Sequence, residues 1–398
     1  MTICLKDTRG GQYIKLLRDT PAMAANVTTF VHARVDGGVY LQTHNTGMKY
    51  VYGPDLSVEV EFVAAPKVDL QAVTRTPWLL GSDPEVFVVD GAGKLMPAWT
   101  FLDSKSVNDA VYWDGFQAEF TTTPSTCLSF LVDSIHGGLA SVLTRARRLD
   151  PRARLVPDCV VNVTPDVLAR AAPEHVALGC APSKNAYGDG ALVGSIDGAL
   201  LQERSAGCHM HFGCIPFDAK PVVRALDAIY GIASIALLAG LEHPARRAFY
   251  GRAGEYRLPP HGLEYRVPSS ATLVHPVVTH LSFDLARVAV NMGYRSVAID
   301  WVDERETQRI INELDVDAAR RVLSANKGVY QHVLKTMYLH NDWMSEMAWR
   351  LLTEGASACL DLSDMHAAWC LTSGREWVVH SEAENASLSK VVFKKGAG

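Results

Sequence analysis

Long apolar runs are missing from this chain. A membrane-spanning helix needs roughly 18–20 consecutive apolar residues. The longest candidate, Ile229 to Leu241, is shorter and interrupted by glycine, so a buried helix and no membrane contact are expected. An excess of positive charge is missing as well: the net charge is −5, which denies the chain the basic footprint of a nucleic-acid binder. Paired cysteines are missing. Cys4, Cys127, Cys159, Cys180, Cys208, Cys214, Cys359 and Cys370 are scattered, with no C-x-x-C spacing, and Met1–Asp7 lacks the basic-then-apolar layout of a secretion signal. Free thiols in a reducing cytoplasm are the expectation. Three catalytic signatures are also absent. There is no G-x-x-x-x-G-K-[ST] phosphate loop, no H-E-x-x-H helix and no G-x-S-x-G elbow. Neither an internal repeat nor a low-complexity tract occurs.

What the 398 residues do contain, 48% hydrophobic and 20% charged, suffices for a sizeable core divided between one small and one large domain. Residues 1–76 read as a small β-rich domain, a barrel or meander. Thr28–Val35, Gly38–Thr43, Lys49–Tyr52 and Ser57–Val63 are rich in β-branched and aromatic residues, and turn signals separate them. Val68–Pro77 reads as a linker, and a protein partner or self-association through this region stays open. Residues 77–398 read as the catalytic domain. Within it, helical spacing predicts helices over Thr126–Arg148, Asp218–Leu241, Val277–Met292, Glu304–Leu314, Val316–Ala325 and Val329–Glu354. The segment Gly179–Gly198 reads as a loop and Ser387–Gly398 as a strand with a frayed end. Trp343, Trp349, Trp369 and Trp377 read as core packing.

The chemistry concentrates in strands. In Gly207-Cys208-His209-Met210-His211-Phe212-Gly213 the two histidines are two residues apart, so in an extended strand both imidazoles share a face, with Met210 and Phe212 on the other. Asp83 and Glu85 repeat that spacing, Pro84 between them suiting an edge or a strand start. Glu119 closes the strand after Trp113-Asp114-Gly115-Phe116, and Glu264 and Arg266 share a third face. Gathered in one hollow, these carboxylates and imidazoles suit Mg²⁺ or Mn²⁺. Arg246, Arg247, Arg252 and Arg257 supply guanidiniums fitted to phosphate oxygens. The inventory fits phosphoryl transfer, in which positioning and charge stabilisation dominate. Zinc held jointly by Cys208 and His209 is disfavoured, because adjacent strand residues point to opposite faces. No second carboxylate is evident beside Glu119. Lys105 and Asn185 read as structural loop residues, and Tyr250 and Tyr256 as packing.

Five segments, Gly81-Ser82-Asp83-Pro84-Glu85, Gln117-Ala118-Glu119-Phe120, Gly207–Gly213, Arg246-Arg247-Ala248-Phe249-Tyr250-Gly251 and Leu263-Glu264-Tyr265-Arg266, stand in an order that resembles the phage amidoligases. These are the type 2 carboxylate–amine ligases of the glutamine synthetase-like superfamily. The loop around Gly179–Asn185 is similar too, and the resemblance spans about residues 79 to 275. It implies an α+β fold, with flanking helices around a curved, mainly antiparallel sheet lined by metal ligands. It also implies ATP-dependent joining of a small-molecule or peptide carboxylate to an amine through an acyl phosphate. On this resemblance Asp83, Glu85, Glu119, His209 and Glu264 are metal ligands for Mg²⁺ or Mn²⁺. Arg266 stabilises the transferred phosphate, and His211, Arg247, Arg252 and Arg257 contact phosphate or carboxylate. Asp83 departs from the glutamate that many superfamily members carry, shortening its reach by one methylene. A phage origin would place the protein in the host cytoplasm or with the virion, and a non-catalytic assembly protein that keeps the fold is the other open reading.

Overall fold

Alternation of period two gives a strand one dry and one wet face, and the structure, a computed structural model, is built on that rule. It describes residues 2–7, 13–20, 25, 28–31, 39–43, 49–52, 55–63, 78–106, 109–176, 183–188, 202–213, 219–294, 299, 302–337 and 342–371. The readings of Val68–Pro77 as a linker and of Ser387–Gly398 as a strand lie outside the described residues, as do Trp377 and most of the loop 179–198.

Strands β1 (Thr2–Cys4), β2 (Tyr13–Leu16), β3 (Thr28–Val31), β4 (Val39–Thr43), β5 (Lys49–Tyr52) and β6 (Ser57–Val63) make a six-stranded antiparallel sheet in the order β1-β6-β2-β3-β4-β5. β2 to β5 form a meander. β6 departs from it and returns to lie between β1 and β2. Val58 and Val60 are buried while Glu61 is exposed, and Leu5, Ile14, Leu16, Leu41 and Tyr52 complete a core of their own.

The larger unit is α+β. Strands β7 (Leu80–Val89), β8 (Val111–Asp114), β9 (Gln117–Phe120), β10 (Arg154–Val156), β11 (Val160–Asn162), β12 (Lys184–Asn185), β13 (Glu203–Ser205), β14 (Cys208–Gly213), β15 (Glu255–Arg257) and β16 (Gly262–Tyr265) follow in chain order. Eight of them form one sheet, ordered β12-β15-β16-β14-β7-β9-β8 with β10 also on β7. Every pairing in it is antiparallel. β11 and β13 pair separately.

Leu80, Val86, Val88, Ala118, Phe120, Cys208, Met210, Phe212, Leu263 and Tyr265 form the dry face of this sheet and join the main core. Helices cover that face. Helix α1 (Leu128–Arg147) buries Leu128, Leu131, Val132, Ile135, Leu139, Val142 and Leu143, the helical stripe expected of it. The helix expected over Asp218–Leu241 is interrupted. Helices α2 (Lys220–Leu226) and α3 (Ile232–Leu237) flank a π-helical turn, Asp227–Gly231, where buried Asp227 accepts a hydrogen bond from the Tyr265 hydroxyl at 2.6 Å. Helices α4 (Pro244–Phe249), α5 (Pro276–Tyr294), α6 (Glu304–Glu313) and α7 (Val316–Ala325) follow. The helix expected over Val329–Glu354 is two helices, α8 (Lys327–Met337) and α9 (Asp342–Glu354). Among the described residues no helix is long and apolar enough to cross a membrane.

Pro84 does not sit at an edge. β7 lies between β14 and β9, and the strand accommodates proline because its ladder toward β9 is broken there. The amide of Ser82 donates to the Thr122 hydroxyl at 2.7 Å instead of a strand carbonyl, and register with β9 runs through Glu85↔Glu119 and Val86↔Ala118. The missing proline N–H falls in that gap.

Candidate metal centre

Register, more than proximity in sequence, assembles the polar face. His209 stands opposite Asp83, His211 opposite Gly81 on one side and Glu264 on the other, Glu85 opposite Glu119, Tyr112 opposite Glu119, Asp114 opposite Gln117, and Arg257 opposite Glu264. Directly opposed residues share a face. All of these side chains therefore rise from the side of the sheet turned away from Met210, Phe212 and Tyr265.

They fall into two groups of potential ligand atoms. In the first, Asp83, His211 and Glu264 each offer one atom, all within 4.8 Å of one another. His211 Nε2 lies 3.2 Å from Asp83 Oδ1, and His209 Nδ1 lies 3.4 Å from the same oxygen and 3.6 Å from Glu264 Oε1. Burial alone would raise the Asp83 carboxyl, but the two imidazoles overcome it and hold it well below the usual carboxylate range. Burial holds His209 low, whereas Asp83 raises His211 in spite of burial.

In the second group, Glu85, Asp114 and Glu119 meet the same 4.8 Å criterion. Burial, followed by the neighbouring carboxylates Glu119 and Asp114, raises Glu85; burial, followed by Asp83 and Asp114, pushes Glu119 up to about 8. Asp114 is raised as well, chiefly by burial. Glu85 is pinned by the Gly207 amide, which donates to Oε2 at 2.6 Å, and by the Tyr250 hydroxyl at 3.2 Å. Glu119 accepts from the Tyr112 hydroxyl and lies 3.7 Å from the Lys105 ammonium, which also sits over the Tyr112 ring. Gly207 has a steric reason to lack a side chain, since a Cβ there would stand 2.6 Å from His209 Nε2.

Asp114 is the acidic neighbour of Glu119 that the sequence reading passed over. Its signal is present: β8 and β9 are joined by two residues, Gly115 and Phe116, with Gly115 at φ +62°, a conformation glycine adopts freely. Such a connection puts Asp114 opposite Gln117 and on the face of Glu119. Tyr250 and Lys105 also touch the acidic groups, which their expected packing and loop roles did not suggest, and so does Tyr112.

The arginines divide. Arg257 and Arg266 both reach Glu264 Oε1, Arg266 through Nε at 3.2 Å, and Arg266 also donates to the Ser183 hydroxyl at 2.5 Å. Arg246 is fully buried and spans the carbonyls of Arg266, Val267 and Pro268. Arg247, also buried, donates to the Val267 carbonyl and pairs with Glu242 at 3.4 Å. Arg252 donates to the Arg247 carbonyl at 2.6 Å. The polar face thus collects Asp83, Glu85, Glu119, His209, His211, Glu264, Arg257 and Arg266, while the contacts of Arg247 and Arg252 tie down the α4 segment and the loop after it.

The donor set suits a hard divalent cation: carboxylate oxygens with one imidazole nitrogen in the first group, carboxylates alone in the second. Asp83 Oδ1 and His211 Nε2 are buried and face each other at 3.2 Å, with no further polar partner for either among the described residues beyond the His209 ring near Asp83. Buried polar atoms are normally satisfied, and a hard divalent cation has the chemistry to satisfy both.

Residues 191–371 match a family model described as Phage phiEco32-like COOH.NH2 ligase-type 2. The resemblance to the phage carboxylate–amine ligases is thereby borne out. The match to these ligases takes in His209, His211, Glu264 and the arginines; Asp83, Glu85, Asp114 and Glu119 precede it and join it only through the sheet. No curated protein matches the chain. Among solved structures, a bifunctional glutathione synthetase from Pasteurella multocida aligns with 73% of this chain at 11% identity and a TM-score of 0.34, a likeness too slight to carry an argument. The aligned region covers 54% of that synthetase chain.

Proposed function

We propose that the protein is an ATP-dependent carboxylate–amine ligase, an amidoligase of glutamine synthetase-like architecture, acting on a small-molecule or peptide carboxylate. The observation that supports this reading is the pairing of two carboxylate groups side by side on one sheet face, with Arg257 and Arg266 at its border. Mg²⁺ or Mn²⁺ bound there would neutralise the phosphates of ATP. Asp83, His211 and Glu264 would hold one ion, with His209 beside them, and Glu85, Asp114 and Glu119 another.

In the proposed reaction, a substrate carboxylate oxygen attacks the γ-phosphorus, the bond to ADP breaks, and an acyl phosphate forms. The amine nitrogen then attacks the acyl carbon, phosphate leaves, and the nitrogen gives up a proton. Arg266 and Arg257 face the place where charge moves between oxygens and would stabilise it. Lys105, exposed at the side of the second group, would meet the acyl substrate. Arg247, buried and bonded to Val267 and Glu242, would shape the wall of the site, whereas exposed Arg252, held through Nε and Nη2, would keep Nη1 for a phosphate or carboxylate oxygen.

Calorimetric titration of the full chain with ATP, with and without Mg²⁺, tests this. Saturable binding that requires Mg²⁺ and is lost in Glu264→Gln is expected. A wild-type protein that binds no ATP at millimolar Mg²⁺ overturns the ligase reading.

A further inference from the structure

The two histidines of β14 differ in one respect that the ligand groups leave unused. His209 is buried against Asp83, Glu264 and the Tyr250 ring. His211 has a second histidine behind it: His211 Nδ1 and His261 Nε2 lie 2.9 Å apart, the rings tilted by 32°. His261 is exposed, in the turn that links β15 to β16, where the Gly262 amide donates to the Pro259 carbonyl at 3.0 Å. Pro259 and Pro260 limit the freedom of that turn.

A neutral imidazole carries one N–H, and only the nitrogen without it can bind a cation. The His211 nitrogen aimed at Asp83 and Glu264 is Nε2. For Nε2 to offer a lone pair, the proton must sit on Nδ1, and Nδ1 needs an acceptor. His261 Nε2 is at hydrogen-bond distance and is such an acceptor. Metal-bound histidines are commonly fixed in this way by a partner on the other nitrogen.

We propose that His261 is a positioning residue: it accepts the Nδ1 proton of His211, fixing the tautomer and ring angle that turn Nε2 into the first ligand group. His261 itself touches neither the cation nor any reacting atom. This rests on the metal-binding reading above. It assigns a metal-affinity role to a residue in a surface turn, where packing gives no reason for a histidine.

Titrating Mn²⁺ into the full chain, followed by electron paramagnetic resonance of the free ion, reads the affinity without any reaction. His261→Ala should weaken binding of one Mn²⁺ by roughly 10- to 100-fold and leave the metal-free melting temperature within a degree or so. His261→Gln, whose amide oxygen can accept the same proton, should restore most of the loss. ¹⁵N spectra of the Mg²⁺-loaded wild type should show His211 protonated on Nδ1. If His261→Ala binds Mn²⁺ as tightly as wild type, or if glutamine rescues no better than alanine, the positioning role is overturned while the metal site stands. If the wild type binds no Mn²⁺, the metal reading itself falls and takes this role with it.

Discussion

Glu85 and Glu119 stand directly opposite each other across β7 and β9, two buried carboxyls where a sheet normally avoids like charges. With Asp114 beside them and only the exposed Lys105 ammonium in ion-pair reach among the described residues, ionising them together is costly. The Glu119 carboxyl, pushed up to about 8, therefore carries a proton in the folded, metal-free chain at pH values where the unfolded chain has lost it. The folded state binds more protons across that window, so stability should fall as pH rises from about 4.5 through about 8. Asp227, pushed up to about 7 mainly by burial, adds to the fall in the same direction. Chemical denaturation in EDTA across this range measures the effect. Glu119→Gln should flatten the curve partly, leaving the shares of Asp227, Glu85 and Asp114. With Mg²⁺ the sign reverses: affinity should rise with pH up to about 8, with protons released on binding.

Asp114→Asn separates stability from function. Removing one of three crowded acidic groups should leave the metal-free protein as stable as wild type or more so, by about 0.5–1 kcal/mol. Mn²⁺ affinity should fall at least tenfold. Thermal melts in EDTA and Mn²⁺ titration give the two readouts. A loss of stability together with unchanged Mn²⁺ binding would show Asp114 to be a structural acceptor only.

Gly207→Ala tests close approach. The added methyl would stand 2.6 Å from His209 Nε2, so the ring must move or the strand must shift, and the Gly207 amide would lose its grip on Glu85 Oε2. Overpacking of this kind costs about 1–3 kcal/mol. A melting temperature equal to wild type would mean that His209 has room to move aside.

Trp369 lies far along the chain from these groups, fully buried, with its indole Nε1 donating to the Leu273 carbonyl at 2.7 Å. Trp369→Ala should destabilise the fold by about 3–5 kcal/mol, read by urea denaturation, while Mn²⁺ affinity measured below the unfolding transition stays within about twofold of wild type.

The polar face was legible wherever spacing along one strand decides it. His209 and His211, Asp83 and Glu85, and Glu264 and Arg266 share faces by period two, and the structure keeps each pair together. Helix α1 was legible for the same reason at period 3.6. Asp114 was not, because its membership depends on the register of a hairpin. Nor were the contacts of Arg246 and Arg247, both buried and both donating to the Val267 carbonyl, Arg246 to that of Pro268 as well. The π turn at Asp227 escaped notice because a periodic apolar run carries no mark of one extra residue. The deciding contact there, from Tyr265, comes from 38 residues away.

The two-residue connection between β8 and β9 has a consequence for how variants of this protein can be made. The hairpin register, Asp114 opposite Gln117 and Tyr112 opposite Glu119, holds both side chains on one side. A change in the connection's length that slipped the register by one residue would turn both side chains into the apolar layer. Among the described connections on the polar face, this is one whose length should be left untouched.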